Sequence, residues 1–167
     1  MYARVKPEGS LKYINVWATH LDHSDHYSGK QRSEEAKVLI NEAKKTESGI
    51  QDPEPILIIG DFNQQREKDY MEEEWSAICA NKYRRASPTD DGVDKQLSQA
   101  GYSCIWDERP RRANWKVEHP PPSTHWTGTI VDYTYYKGSI QCDGCFVSSS
   151  GLSDHRLIVS DWIINEG

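Results

Sequence analysis

The stretch PILIIGDFNQQ, residues 55–65, decides how this chain reads. Four consecutive aliphatic residues, Ile56 to Ile59, suit a strand covered on both faces. They run into Gly60, and then an acid and an amide, Asp61 and Asn63, stand at the strand end with only Phe62 between them. Upstream, LKYINVWAT (residues 11–19) alternates loosely and is rich in aromatic and β-branched residues, the pattern of a second strand. Between the two, Ala36, Leu39, Ile40 and Ala43 recur at i, i+3, i+4 and i+7, which predicts an amphipathic helix over 31–45. Ser28 and Gln31 have capping-box spacing at its start, Ser48-Gly49 ends it, and Pro53 and Pro55 prevent its continuation. Strand, helix, strand of this kind reads as a right-handed crossover joining two parallel strands.

Downstream, helices are expected over 67–80, with Met71, Trp75, Ile78 and Cys79 on one side, and over 93–100, ending at Gly101. SCIW (103–106) reads as a short strand and 107–126 as a loop containing prolines and Arg109, Arg111 and Arg112. GTIVDYTYY (128–136) and IQCDGCFV (140–147) read as an antiparallel pair, and RLIVSDWII (156–164) as a final strand. The mixed order places the chain in α/β or α+β territory, as one domain over residues 1–167.

Composition limits the function classes. Net charge is −6 over 167 residues, which argues against a surface that coats nucleic acid but not against an enzyme that meets phosphate through a metal ion. There is no run of apolar residues long enough to span a bilayer, and no signal peptide is visible, so the compartment stays open. Six Trp and nine Tyr against two Phe predict a core of polar-tipped aromatics whose tips need partners. Cys142 and Cys145 have zinc-ligand spacing without a second pair or a His in register, so a surface hairpin with incidental thiols or a local disulfide is the better expectation.

The chemistry gathers at strand ends. His20, Asp22 and His23 follow the first strand, and Asp61 and Asn63 follow the second. If these strands are parallel, both sets share the carboxyl edge, where open α/β sheets hold ligands. Ser153-Asp154-His155 precedes the last strand and reaches the same edge if that strand is antiparallel to them. Asp132 stands inside an otherwise apolar and aromatic strand, where a carboxylate needs a cation or a donor. Hard divalent ions prefer oxygen ligands such as Asp61, Asn63 and Asp154, and an imidazole oriented by a buried carboxylate holds a defined tautomer. Plainer readings stay open for each: surface histidines, a Gly-Asp turn, a loop serine or aspartate on local backbone, and an edge-strand carboxylate facing water. His23, Asp25 and His26 read as solvated loop residues, and the three arginines as a solvated or phosphate-facing loop.

ATHLDH, IIGDFN, TIVDYTYY and LSDH, in that order, resemble the endonuclease/exonuclease/phosphatase, or DNase-I-like, superfamily of metal-dependent phosphoesterases. The resemblance spans roughly residues 2–164 and implies a four-layer α/β sandwich with Mg²⁺ or Mn²⁺ as cofactor. It implies that His20 contacts or protonates the scissile phosphate, and that Asp61 and Asn63 orient the attacking water and hold phosphate or metal. It further implies that Asp132 hydrogen-bonds a catalytic histidine, that Asp154 is metal-associated, and that His155 stabilises the pentacoordinate phosphate. The family's early Asn and its metal-binding Glu have no counterpart here, since 19 residues precede His20 and their one acid, Glu8, lies in a PEGS turn. The expectation is therefore the C-terminal part of the fold, with the second sheet largely missing and an apolar face uncovered. A fragment of a longer enzyme, a homodimer completing the sandwich, and a degenerate member that binds phosphorylated ligands without turnover all fit. The implied activity is hydrolysis of a phosphodiester, nuclease-like, or of a phosphomonoester, with a phosphate-ester substrate that includes nucleic acid among its classes. The rival is a non-catalytic binding or assembly module.

Overall fold

The computed structural model describes residues 1–23, 29–47, 53–80, 92–108, 123–148 and 151–165. The two parallel strands and their crossover are present: β1 (Tyr2–Val5) pairs antiparallel with β2 (Ile14–His20), helix α1 (Lys30–Lys45) follows, and β3 (Ile56–Asp61) lies parallel to β2. Helix α1 begins after Gly29 in the left-handed region with no side-chain cap, and Lys45 is its last residue before Thr46 caps it. The expected capping Ser28 and the Ser48-Gly49 stop lie outside the described residues, as do Asp25, His26, Arg109, Arg111 and Arg112.

The segment expected as one helix over 67–80 is split. A 3-10 turn at Glu67–Asp69 precedes α2 (Glu72–Ala80), because Arg66 and Asp69 pair through their side chains and hold the chain in a tight turn before the helix starts. Helix α3 (Val93–Gln99) matches its expectation. In SCIW only Ser103–Cys104 is strand, β4, and Ile105–Glu108 turns at once into the short helix α4.

The larger correction concerns pairing. β5 (Asp132–Lys137) does not pair with the following strand; it inserts antiparallel between β3 and β4, giving a five-stranded sheet of order β1-β2-β3-β5-β4. β6 (Ile140–Ser148) pairs instead with β7 (Leu157–Ile164) in a separate two-stranded sheet. Its CDGC segment therefore lies within a strand, across an irregularity between Cys142 and Gly144, and neither cysteine is disulfide-bonded. Gly138, with φ of 95° and a Cβ position 3.2 Å from Pro55 Cα, allows the chain to leave one sheet for the other.

Strand alternation separates the two faces of the large sheet. Ile56, Ile58, Tyr133 and Tyr135 share one face by register and are buried; α3 packs on this side, where the Tyr135 hydroxyl donates to Asp94 Oδ1 at 2.8 Å. The Tyr133 hydroxyl likewise reaches Asp69 Oδ2, while Trp17 Nε1 and Tyr102 Oη are buried without a hydrogen-bond partner among the described residues. The opposite face carries Val16, Leu57, Ile59 and Tyr136, and the β6–β7 sheet rests on it through an edge-on contact of Tyr136 with Trp162, centroids 5.1 Å apart. A second layer thus exists but consists of two strands, and Val16 and Ile59 remain only partly buried beneath it. No described helix is long and apolar enough to cross a membrane.

Candidate active site

Register brings the first three groups together. His20 is the Cα partner of Asp61 across β2–β3, and Asp61 is the partner of Asp132 across β3–β5. Laterally adjacent residues in a sheet share a face, so one row on three neighbouring strands presents an imidazole and two carboxylates on the side covered further along by β6–β7. Gly60 makes this row compact: with φ of 138°, its missing Cβ would stand 1.9 Å from the Thr19 carbonyl oxygen of the neighbouring strand.

The loop after β3 is fixed by its own polar atoms. The backbone N–H of Asn63 donates to Asp61 Oδ1 at 2.7 Å, and Asn63 adopts φ of 46°, a region that asparagine tolerates better than most residues. Asn63 Nδ2 donates to the Leu21 carbonyl at 2.9 Å, and the Leu21 N–H donates to the Asp61 carbonyl at 2.9 Å, which ties this loop to the end of β2. Phe62 points the other way and is fully buried against Tyr133 and Tyr135.

His155 arrives from outside the large sheet. It precedes β7, a strand of the second sheet, and still reaches the edge that carries His20 and Asp61. An isolated bridge to His125 holds its backbone, and its Nδ1 lies 2.9 Å and 3.1 Å from the two oxygens of Asp132. Its Nε2 then faces Asp61 Oδ2 at 3.6 Å, while His20 Nε2 approaches the same oxygen at 3.5 Å. Asp61 Oδ2 is therefore flanked by two imidazoles drawn from opposite ends of the sequence. Asp154 is exposed and groups with His125 and His155 rather than with Asp61, its Oδ2 lying 3.9 Å from His125 Nε2.

Electrostatics push the two neighbouring histidines apart. Burial opposes charging of His155, but its hydrogen bond to Asp132 and the fields of Asp132, Asp61 and Asp154 outweigh it and raise its pKa. Burial and then the proximity of His155 lower the pKa of His125, whose ring lies 4.8 Å from that of His155. Burial raises the pKa of Asp132 against the bonds from His155 and Thr124.

The sequence reading missed His125 and Thr124. Thr124 is fully buried, and its Oγ1 accepts the backbone N–H groups of Val131 and Asp132 at 3.1 Å each, which sets the start of β5. The signal was a histidine between hydroxyls in STHWTGT, hidden because the segment read as loop. His23 is exposed, as expected.

Among the described residues, two groups have ligand atoms close enough to hold a cation: Asp61, Asp132 and His155, and His125, Asp154 and His155. In the first, both Asp132 oxygens face His155 Nδ1, so Asp132 serves to orient the ring, and Asp61 Oδ2 is the oxygen open to a metal. Asn63, whose Nδ2 donates to the Leu21 carbonyl, can offer its amide oxygen to a cation or a water.

No family profile matches the chain by sequence, and no curated protein does. Solved structures do match. The human Nocturnin catalytic domain, with a bound sulfate anion, is 18% identical and covers 97% of this chain and 51% of its own, with a TM-score of 0.64. An endonuclease/exonuclease/phosphatase family protein from Bacteroides thetaiotaomicron is 14% identical, covering 98% of this chain and 55% of its own, with a TM-score of 0.65. A mannosyl-6-phosphatase from the same organism is 14% identical over 98% of this chain and 56% of its own, with a TM-score of 0.62. This chain spans about half the length of these structures. Its α/β architecture is the fold of the endonuclease/exonuclease/phosphatase, DNase-I-like, superfamily in partial form.

Proposed function

We propose that this chain carries the phosphate-handling rim of a divalent-metal-dependent phosphoesterase that hydrolyses a phosphodiester, nuclease-like, or a phosphomonoester by direct attack of water. The supporting observation is convergence: His20, Asp61, Asp132 and His155, from four separate segments, meet around one carboxylate oxygen. Similarity of fold to a mannosyl-6-phosphatase and to Nocturnin is in keeping with this reading.

Each residue has a role that its surroundings suit. Asp61, with Oδ1 committed to the Asn63 N–H, offers Oδ2 to accept a proton from an attacking water, and Asn63 positions that water or a phosphate oxygen. Asp132 keeps His155 oriented and charged, so that His155 Nε2 donates to a phosphoryl oxygen as negative charge develops. His20, exposed at the mouth of the rim, contacts the phosphate from the other side. A bound Mg²⁺ or Mn²⁺ would be held by Asp61 and Asn63, with Asp154 on the adjoining loop, and would supply charge stabilisation at the phosphate.

The test is hydrolysis of bis-p-nitrophenyl phosphate and p-nitrophenyl phosphate with Mg²⁺ or Mn²⁺. Parent activity that Asp61→Ala and His155→Ala both abolish is the expected result; no turnover with any divalent ion would overturn the enzymatic reading. The alternative reading is a phosphate-ligand-binding or assembly module that keeps the rim without turnover. Phosphate binding in the absence of hydrolysis would support it.

A further inference from the structure

The second cluster, beside the rim, combines two imidazoles and a carboxylate from two loops. His125, Asp154 and His155 each offer a ligand atom, and these atoms lie within 4.8 Å of one another. Both rings are held from behind. His155 Nδ1 is bound to Asp132, and His125 Nδ1 to the Thr127 hydroxyl at 2.7 Å, itself 2.8 Å from the Thr129 hydroxyl. Each histidine therefore has Nδ1 occupied by an orienting partner and Nε2 directed elsewhere, which is how metal-ligating histidines are fixed. Backbone bonds lock the two loops together: the Trp126 N–H donates to the Asp154 carbonyl at 2.9 Å and the Arg156 N–H to the Thr124 carbonyl at 2.7 Å. Asp154 is two-thirds exposed and free to swing onto an ion, and its Oδ2 already stands 3.9 Å from His125 Nε2.

The donor set selects the ion. Mg²⁺ prefers carboxylate and carbonyl oxygens, whereas two nitrogens and one carboxylate suit a borderline transition cation, with water completing the shell. We propose that His125, His155 and Asp154 form a binding site for such a cation, Zn²⁺ being the prototype, and that its occupancy takes His155 Nε2 away from phosphate and so inhibits turnover. The inhibition rests on the function proposed above; the binding does not. The site shares Asp154 with the oxygen set at Asp61 and Asn63 but differs from it in its two imidazoles, and it draws His155 away from the phosphate rim.

Titration calorimetry of the full chain with ZnCl₂, and separately with MgCl₂, tests the binding, and the visible spectrum of the Co²⁺ form reports the ligand type. The expected result is Zn²⁺ binding that outcompetes Mg²⁺, with a Co²⁺ spectrum lacking a thiolate charge-transfer band. His125→Ala, and His125→Gln as a variant closer in size, should lose at least about tenfold in Zn²⁺ affinity. Asp132→Asn should lose about 10–100-fold through the unsupported His155 ring. Thermal melting of each variant separates loss of a ligand from loss of fold. Unchanged Zn²⁺ affinity in both folded His125 variants, or a thiolate spectrum indicating Cys142 and Cys145, overturns the site. If the Mg²⁺-activated protein hydrolyses a phosphoester, Zn²⁺ should inhibit it, and His125→Gln should relieve the inhibition without changing the rate in zinc-free buffer. Inhibition equal in parent and variant overturns the regulatory claim. If no hydrolysis occurs under any condition, the proposed function fails while the calorimetry and spectra still decide the site.

Discussion

Replacing Gly60 by alanine should damage this protein more than the same change at Gly9, another positive-φ glycine. Its φ of 138° is a conformation that side-chain-bearing residues avoid, and the new Cβ would stand 1.9 Å from the Thr19 carbonyl oxygen. That atom is backbone, so no rotamer change relieves the clash, and β2 and β3 must part by more than 1 Å at this pair. The strained backbone costs about 1–3 kcal/mol. Weakening one or two ladder hydrogen bonds adds about 1 kcal/mol each. A total of about 3 kcal/mol is a large share of the roughly 5–15 kcal/mol that holds an ordinary domain folded. Gly9 provides the control, because its φ of 78° is also positive but nothing lies within 4 Å of its Cβ position. Gly9→Ala should therefore cost only the left-handed conformation, about 1–2 kcal/mol. Urea unfolding followed by tryptophan fluorescence measures both. With a slope of about 2 kcal/mol per molar, Gly60→Ala should lower the midpoint by about 1.5 M. Equal midpoints for Gly60→Ala and Gly9→Ala would refute the close-approach argument. Because His20 and Asp61 are the next pair along the same two strands, phosphoester turnover should fall with it.

Further outcomes follow from the rim and its supports. In ¹H–¹⁵N imidazole titrations of the metal-free protein, His155 should titrate above the ordinary value near 6.5 and His125 below it. Asp132→Asn should bring His155 down, and no movement would show that the pair is not coupled. The sign for stability follows: the contribution of charged His155 is present below its unfolded pKa and lost as pH rises through its higher folded pKa. Burial opposes the ionisation of Asp94, but the Arg66 charge and the bonds from Tyr135 and Arg66 outweigh it and lower its pKa. Its contribution is thus present above about pH 4 and disappears as pH falls through the folded value, so Asp94→Asn should flatten the acid limb of a pH–stability curve. Asn63→Gly should keep the fold, since glycine accepts φ of 46°, yet lose activity with the bond to Leu21; Asn63→Val should also lose stability by about 1–2 kcal/mol. Equal melting temperatures for the two would count against strain at this position.

What the sequence by itself determined is local and periodic. The aliphatic run before Gly60, the i, i+3, i+4, i+7 pattern of α1, and the polar residues placed where strands stop were enough to place β2, α1 and β3 and to put His20 and Asp61 on one carboxyl edge, where the register makes them direct neighbours. Periodicity reports which residues one element buries, and a parallel crossover has one favoured hand, so this much follows without coordinates. Pairing partners are another matter, because a strand's pattern says that it has neighbours without saying which. β5 and β6 follow each other closely and read as a hairpin, yet β5 entered the gap between β3 and β4, and β6 took β7. That insertion aligns Asp132 with Asp61, and the second sheet then returns His155 onto Asp132. His125 joins them only because the segment before β5 folds back onto the segment before β7. Asp61 and Asn63 were visible as an odd polar pair at the end of a strand; only tertiary packing decided which imidazoles face them.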